Sequence, residues 1–103
     1  MGKVIKIEVA QDLTTRLRQE LPRLQKEFAL RSLGLFGSYV RGEQRKGSDL
    51  DILVEFTQVP GMFRFLELER ELTRLLGVKV DLVQKEAMKP AIGKRILQEI
   101  LLV

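Results

Sequence analysis

The stretch Gly37–Asp51, GSYVRGEQRKGSDLD, lies between two short apolar runs, SLGLF before it and ILVEF after it. Both runs suit a half-buried strand and each is too short to stand as a helix. The chain must therefore make a strand, a polar connection with room for one helical turn, and a second strand. Strand side chains alternate between faces, so Asp49 and Asp51 share one face while Leu50, Ile52 and Val54 point into a core.

Two carboxylates held side by side repel, which raises a pKa or recruits a cation. Oxygen ligands suit magnesium, which keeps water and phosphate oxygens in its shell. A nucleotide is the natural source of those phosphates. Gly37 and Ser38 stand where the first strand turns into the helical turn, where a missing side chain lets the backbone approach a phosphate, and Ser38 adds a hydroxyl donor. Each element alone is weak: Gly-Ser occurs in many turns, and Asp49 could cap a turn while Asp51 faces water.

Taken together, Gly37-Ser38, ten intervening residues and Asp49-Leu50-Asp51 resemble the signature of the minimal nucleotidyltransferase (MNT) family, within the DNA polymerase beta-like superfamily. Arg41-Gly42-Glu43 and the later LLGVKVDLV extend the similarity over nearly the whole chain. The resemblance implies an α/β (α+β) fold with a small mixed sheet flanked by helices. It makes Asp81, inside VKVDLV, the third acidic position; the alternative is an edge-strand aspartate paired with Lys79 or Arg95. It further implies magnesium, two ions, held by Asp49, Asp51 and Asp81, with ATP as substrate and nucleotide-binding roles for Gly37, Ser38, Arg41, Arg45 and Lys46. Arg41 could instead pair with Glu43 or Asp49 to shape the loop. Tyr39 either contacts a base, accepts self-modification or packs the short helix. Such small proteins often act as antitoxins beside HEPN-type ribonuclease toxins, adenylylating a toxin hydroxyl, typically tyrosine. That implies a hetero-oligomer. A non-catalytic module that neutralises its partner by contact is the second reading, and nucleotide addition to a small molecule or RNA end the third.

The 103 residues are expected to form a single domain, 1–103, too small to carry a separate substrate domain. Lys and Arg number 18 against 14 Asp and Glu, a formal +4 that would help hold a triphosphate, RNA or an acidic partner, and equally fits a solvated surface. With five Phe and one Tyr there is no stacking array for single strands, so direct nucleic-acid binding stays open. Cysteine and histidine are absent, which excludes disulfides, thiol catalysis and thiolate or imidazole metal sites. Proton transfer falls to carboxylate, Lys, Tyr or water. The N-terminus MGKVIKIEVAQ lacks a long apolar core with a small-residue cleavage site and no run approaches membrane-spanning length, so the cytoplasm is the expected location.

Along the chain, alternation of Ile5, Ile7 and Val9 suggests an extended N-terminal arm over residues 1–11, or a frayed end. Asp12 is placed as the N-cap of a helix with Leu13, Leu17, Leu21, Leu24 and Phe28 inward, and Pro22 predicts a kink or a division near Glu20–Pro22. The first motif strand spans Arg31–Phe36, with Gly34 at a bulge or close contact. A helical turn over Ser38–Gly42, a mobile loop over Glu43–Ser48 and a strand from Asp49 to about Phe56 complete the motif. After Val59-Pro60-Gly61 a helix carries Met62, Phe65, Leu66, Glu69, Leu72, Leu75 and Leu76 and ends at Gly77. A strand over Val78–Val83 and a helix after Lys89-Pro90 follow, with Ile92, Ile96, Leu97, Ile100 and Leu101 inward. The apolar ending ILLV is shared between core and a partner surface.

Overall fold

The computed structural model describes residues 2–103, with side chains from Val9 onward. Helix α1 (Gly2–Phe28) leads into β1 (Leu30–Phe36), the single-turn α2 (Ser38–Arg41), β2 (Leu50–Phe56), α3 (Met62–Leu76), β3 (Val80–Gln84), a 3-10 turn at Lys85–Ala87, α4 (Pro90–Leu97) and β4 (Leu101–Leu102). The strands form one mixed sheet in the order β3-β2-β1-β4. β1 runs antiparallel to β2 and to β4, whereas β2 and β3 are parallel and α3 is the crossover between them.

Leu50, Ile52 and Val54 of β2 are fully buried, with Leu33 and Leu35 of β1. α1 packs on this layer through Leu13, Leu17, Leu24 and Phe28, and α3 through Leu68, Leu72 and Leu76. Leu72 and Leu76 are buried as the expected α3 stripe has them, but Leu68, outside that stripe, is completely buried while Met62 is 76% exposed and Leu66 is at the surface. Phe65 and Leu75 are partly buried against the core. Period alone could not separate the two faces, because apolar side chains occur on both. Glu69 has a structural role: its Oε2 accepts a hydrogen bond from Leu82 N at 2.9 Å, and Thr73 Oγ1 accepts one from Val80 N at 3.1 Å. Strand β3 is at the edge of the sheet, and α3 satisfies two of its outward amides.

Several local expectations differ. Residues 2–11 are the opening turns of α1, not an extended arm, and Asp12 lies inside the helix rather than at its cap; residue 1 is outside the described residues. Three alternating apolar residues are a short signal. A helix anchored by the buried Ala10, Leu13, Thr14 and Leu17 propagates backwards at one hydrogen bond per residue once nucleated, with no proline before Pro22 to stop it. Pro22 sits within α1 without dividing it. Its missing amide costs one ladder bond, but Leu17 on one side and Leu24 and Phe28 on the other are held in the same core. Gly34 is a close contact, as a Cβ there would run into the Ile100 side chain; the bulge lies between Leu30 and Ser32.

At the C-terminal end Ile96 is buried, while Ile92 and Leu97 are more than half exposed. The helix is only eight residues long and presents one narrow face to the sheet. The ending closes β4 on β1 through Leu101, and Leu102 is 62% exposed. Among the described residues, no helix is long and apolar enough to cross a membrane.

Candidate functional site

β1 ends at Phe36 opposite Asp51 of β2, so the turn that follows β1 abuts the Asp51 side chain. Gly37 forms that turn with φ 81° and ψ −155°, a conformation essentially reserved for glycine. A Cβ at this position would collide with the Asp51 carboxylate. The main chain then folds at once into α2, with Val40 N and Arg41 N donating to Gly37 O at 3.1 and 3.2 Å. Gly42, in the left-handed region, closes the turn.

Parallel pairing of β2 with β3 puts Asp51 in register with Asp81, so the two carboxylates lie side by side on one face. Asp51 is half-buried and its carboxyl is pushed up to about 6, first by desolvation, then by the charges of Asp81 and Asp49; Arg41 opposes the rise. A hydrogen bond between the Asp51 and Asp81 side chains adds to it. Asp81 itself is exposed, which answers the cost of a carboxylate in VKVDLV: it opens to solvent at the sheet edge. Lys79, the partner weighed for Asp81, stands 4.0 Å from Asp49 Oδ2 instead.

The donor set is oxygen only and the crowded Asp51–Asp81 pair is short of positive charge, which fits a hard divalent cation. Among the described residues, no three carboxylates are disposed to hold one ion together. The pair is formed and Asp49 is turned towards Lys79.

Of the nucleotide-binding candidates, Gly37 and Arg41 line a cleft of about 290 Å³ with Asp51. Ser38 is half-buried and its carbonyl accepts Glu43 N at 2.8 Å. Arg45 and Lys46 are exposed and lie outside the lining of that cleft. Their segment contains a turn: Arg45 N donates to Ser48 Oγ at 2.8 Å and Ser48 N to Arg45 O at 2.9 Å. Tyr39 is buried in the core, the packing role among those considered.

The remaining lining comes from the C-terminal third: Ile92, Arg95, Ile96 and Glu99, facing Phe36 of β1. Sequence reasoning missed Glu99 as a neighbour of the motif. Its Oε1 accepts the Gly37 amide at 3.0 Å, and both carboxylate oxygens accept Arg41 Nη1 at 3.1 Å. Arg41 also reaches Glu43 at 3.5 Å, one of the two pairings expected for it. The register explains Glu99: Leu101 pairs with Leu35, so two residues back along β4's approach meets two residues on from Leu35. No local pattern in the tail QEILLV signals this.

Comparison with known proteins fits the geometry. The chain is 42% identical over 100 residues to the protein adenylyltransferase MntA of Thermococcus cleftensis, covering 97% of this chain and 98% of that protein. Its structure resembles that of a protein provisionally described as a minimal nucleotidyltransferase, with TM-score 0.70, 35% identity, and 85% and 91% of the two chains covered. It also resembles a chain of a toxin–antitoxin crystal structure with AMP-PNP, with TM-score 0.67, 26% identity, and 82% of this chain and 69% of that one covered. The strand–glycine turn–strand that sets Asp51 beside Gly37 falls within residues 15–103, which match the nucleotidyltransferase domain model, and the chain belongs to that family of enzymes.

Proposed function

We propose that this chain is a magnesium-dependent protein adenylyltransferase that transfers AMP from ATP to a hydroxyl, foremost a tyrosine, of a HEPN-type ribonuclease toxin. It would act in the cytoplasm, as the antitoxin of a hetero-oligomeric pair. The observation that carries the reading is the Asp51–Asp81 pair beside the side-chain-free Gly37 turn. The adenylyltransferase relative and the toxin–antitoxin structure with AMP-PNP support the donor and the partner class.

Asp51 and Asp81 would hold Mg2+, and Asp49 would join them by turning away from Lys79. Bound there, magnesium supplies the positive charge that polarises the α-phosphate and stabilises the pyrophosphate leaving group. The Gly37 turn and Ser38 receive the terminal phosphates, and Arg41 balances their charge. Asp81, open to solvent at the sheet edge, faces the incoming hydroxyl. The acceptor oxygen bonds to the α-phosphorus as the bond to pyrophosphate breaks, and the hydroxyl proton passes to a carboxylate or to water. Arg45 and Lys46, outside the cleft, would act only on the emerging pyrophosphate or on the partner's surface.

A second reading, neutralisation by contact alone, is favoured by Met62 and Phe63, which are 76% and 81% exposed at the start of α3. Intact-protein mass spectrometry separates the two. The chain is incubated with the product of the neighbouring reading frame, magnesium and each nucleoside triphosphate in turn. An adenylyl increment on the neighbour with ATP, lost in the Asp49→Asn/Asp51→Asn variant, is the expected result. A stable complex that neutralises the neighbour with no increment under any nucleotide would sink the transferase reading.

A further inference from the structure

We propose that Glu99 is an internal competitor for the nucleotide's polyphosphate: its carboxylate occupies the Gly37 amide and the Arg41 guanidinium, and a triphosphate must displace it to bind. The inference rests on the nucleotidyl-transfer reading and names the residue that sets nucleotide affinity within it. Carboxylate and phosphate oxygens seek the same donors, a backbone amide and a guanidinium, so one group excludes the other. Gly37 is buried, and the Glu99 oxygen is its amide's acceptor at 3.0 Å. The same carboxylate lines the cleft whose lining includes Asp51, so phosphates entering beside Asp51 meet a negative charge already in place.

The competitor is built to leave. Glu99 follows α4 and precedes β4, in a link that belongs to neither, and its side chain is 28% exposed. Rotation of that side chain frees both donors without breaking the pairing of Leu101 with Leu35. Its grip is also limited, because Arg41 is 45% exposed and an ion pair in that setting is worth little. The hydrogen bond to the Gly37 amide is the larger part. Release of one charge-assisted bond of this kind changes affinity by roughly ten-fold.

The test is calorimetric titration of the full chain with Mg2+ and AMP-PNP, for wild type, Glu99→Gln and Glu99→Ala. Both variants are expected to bind more tightly than wild type, by roughly ten-fold for the alanine variant and less for glutamine, which keeps an oxygen acceptor but no charge. In wild type, the Gly37 amide resonance should shift on titration. If both variants fold by thermal melting and bind equally or more weakly, Glu99 only holds the turn in shape and the proposal is overturned. Should alanine unfold the chain, the isosteric glutamine variant decides alone. Absence of binding in all three proteins would instead overturn the nucleotide reading beneath it, and the competitor with it.

Discussion

Gly37→Ala probes the junction on which the site is built. Two costs combine there. The backbone at φ 81° and ψ −155° lies in a region open to glycine almost alone, which costs a residue with a Cβ about 1–3 kcal/mol. The new methyl also meets the Asp51 carboxylate, and relieving that overlap by moving a packed strand end adds about 1–3 kcal/mol. The expected total is about 2–6 kcal/mol, enough to lower the melting temperature of a domain this size by roughly 10–40 °C. Two other glycines calibrate it. Gly77, at φ 70° with nothing within 4 Å of a built Cβ, should show left-handed strain alone, about 1–2 kcal/mol as alanine. Gly61, at φ −72° and equally uncrowded, should be nearly neutral or gain about 0.5 kcal/mol. Urea unfolding of the three variants gives the differences directly, provided the m-values agree. The overlap is then isolated in an Asp51→Ala background, where Gly37→Ala should cost at least about 1 kcal/mol less. The reasoning is refuted if Gly37→Ala costs no more than Gly77→Ala, or if its cost is the same with and without the Asp51 carboxylate.

In metal-free protein the Asp51 carboxyl, raised from 3.8 to about 6, binds a proton more tightly folded than unfolded. Folding stability should therefore fall as pH rises from about 4 to about 6 and level off above, the reverse of a salt-bridged carboxylate. Because Asp51 is half-exposed, solvent screening reduces the penalty to about 1–2 kcal/mol; urea melts across that range should show the slope, and Asp51→Asn should remove it. A stability that rises over this window would contradict the crowding of the three aspartates. At the sheet edge, Glu69→Ala leaves Leu82 N without its acceptor and should cost about 1–3 kcal/mol, with Glu69→Gln costing less. Sedimentation should also show more self-association for the alanine variant, since an amide of an edge strand is uncovered; unchanged stability and a monomer would show the contact to be incidental.

What the amino-acid order made legible was whatever depends on near neighbours. The period-two spacing of Asp49 and Asp51 against Leu50, Ile52 and Val54 placed the core face of β2 correctly, since burial admits only one register for such a pattern. Gly77 announced the end of α3 because a left-handed residue is needed there. The misreadings of residues 2–11 and of part of the α3 stripe, and the division offered as one alternative at Pro22, share another cause. In each, a weak local preference was overruled by packing against residues distant in the chain, as when Leu24 and Phe28 carry α1 through Pro22.

The composition of the site obeys the same division, and this bears on how such a small chain assembles one. Its first half, Gly37 to Asp51, is continuous in sequence and could be read as a motif. Its second half arrives through two pairings made by different strands: β3 delivers Asp81 beside Asp51, and β4 delivers Glu99 to Gly37. β4 has only two residues, and opposite it Gly34 offers no side chain where a Cβ would meet the end of the Ile100 side chain, next to Glu99. Glycine at 34 leaves room for that side chain beside the link that carries the carboxylate at 99 to the turn, sixty-two residues away from it along the chain. A motif search sees Gly37 and the aspartates; the group that competes for Gly37 becomes visible only once β4 has paired with β1.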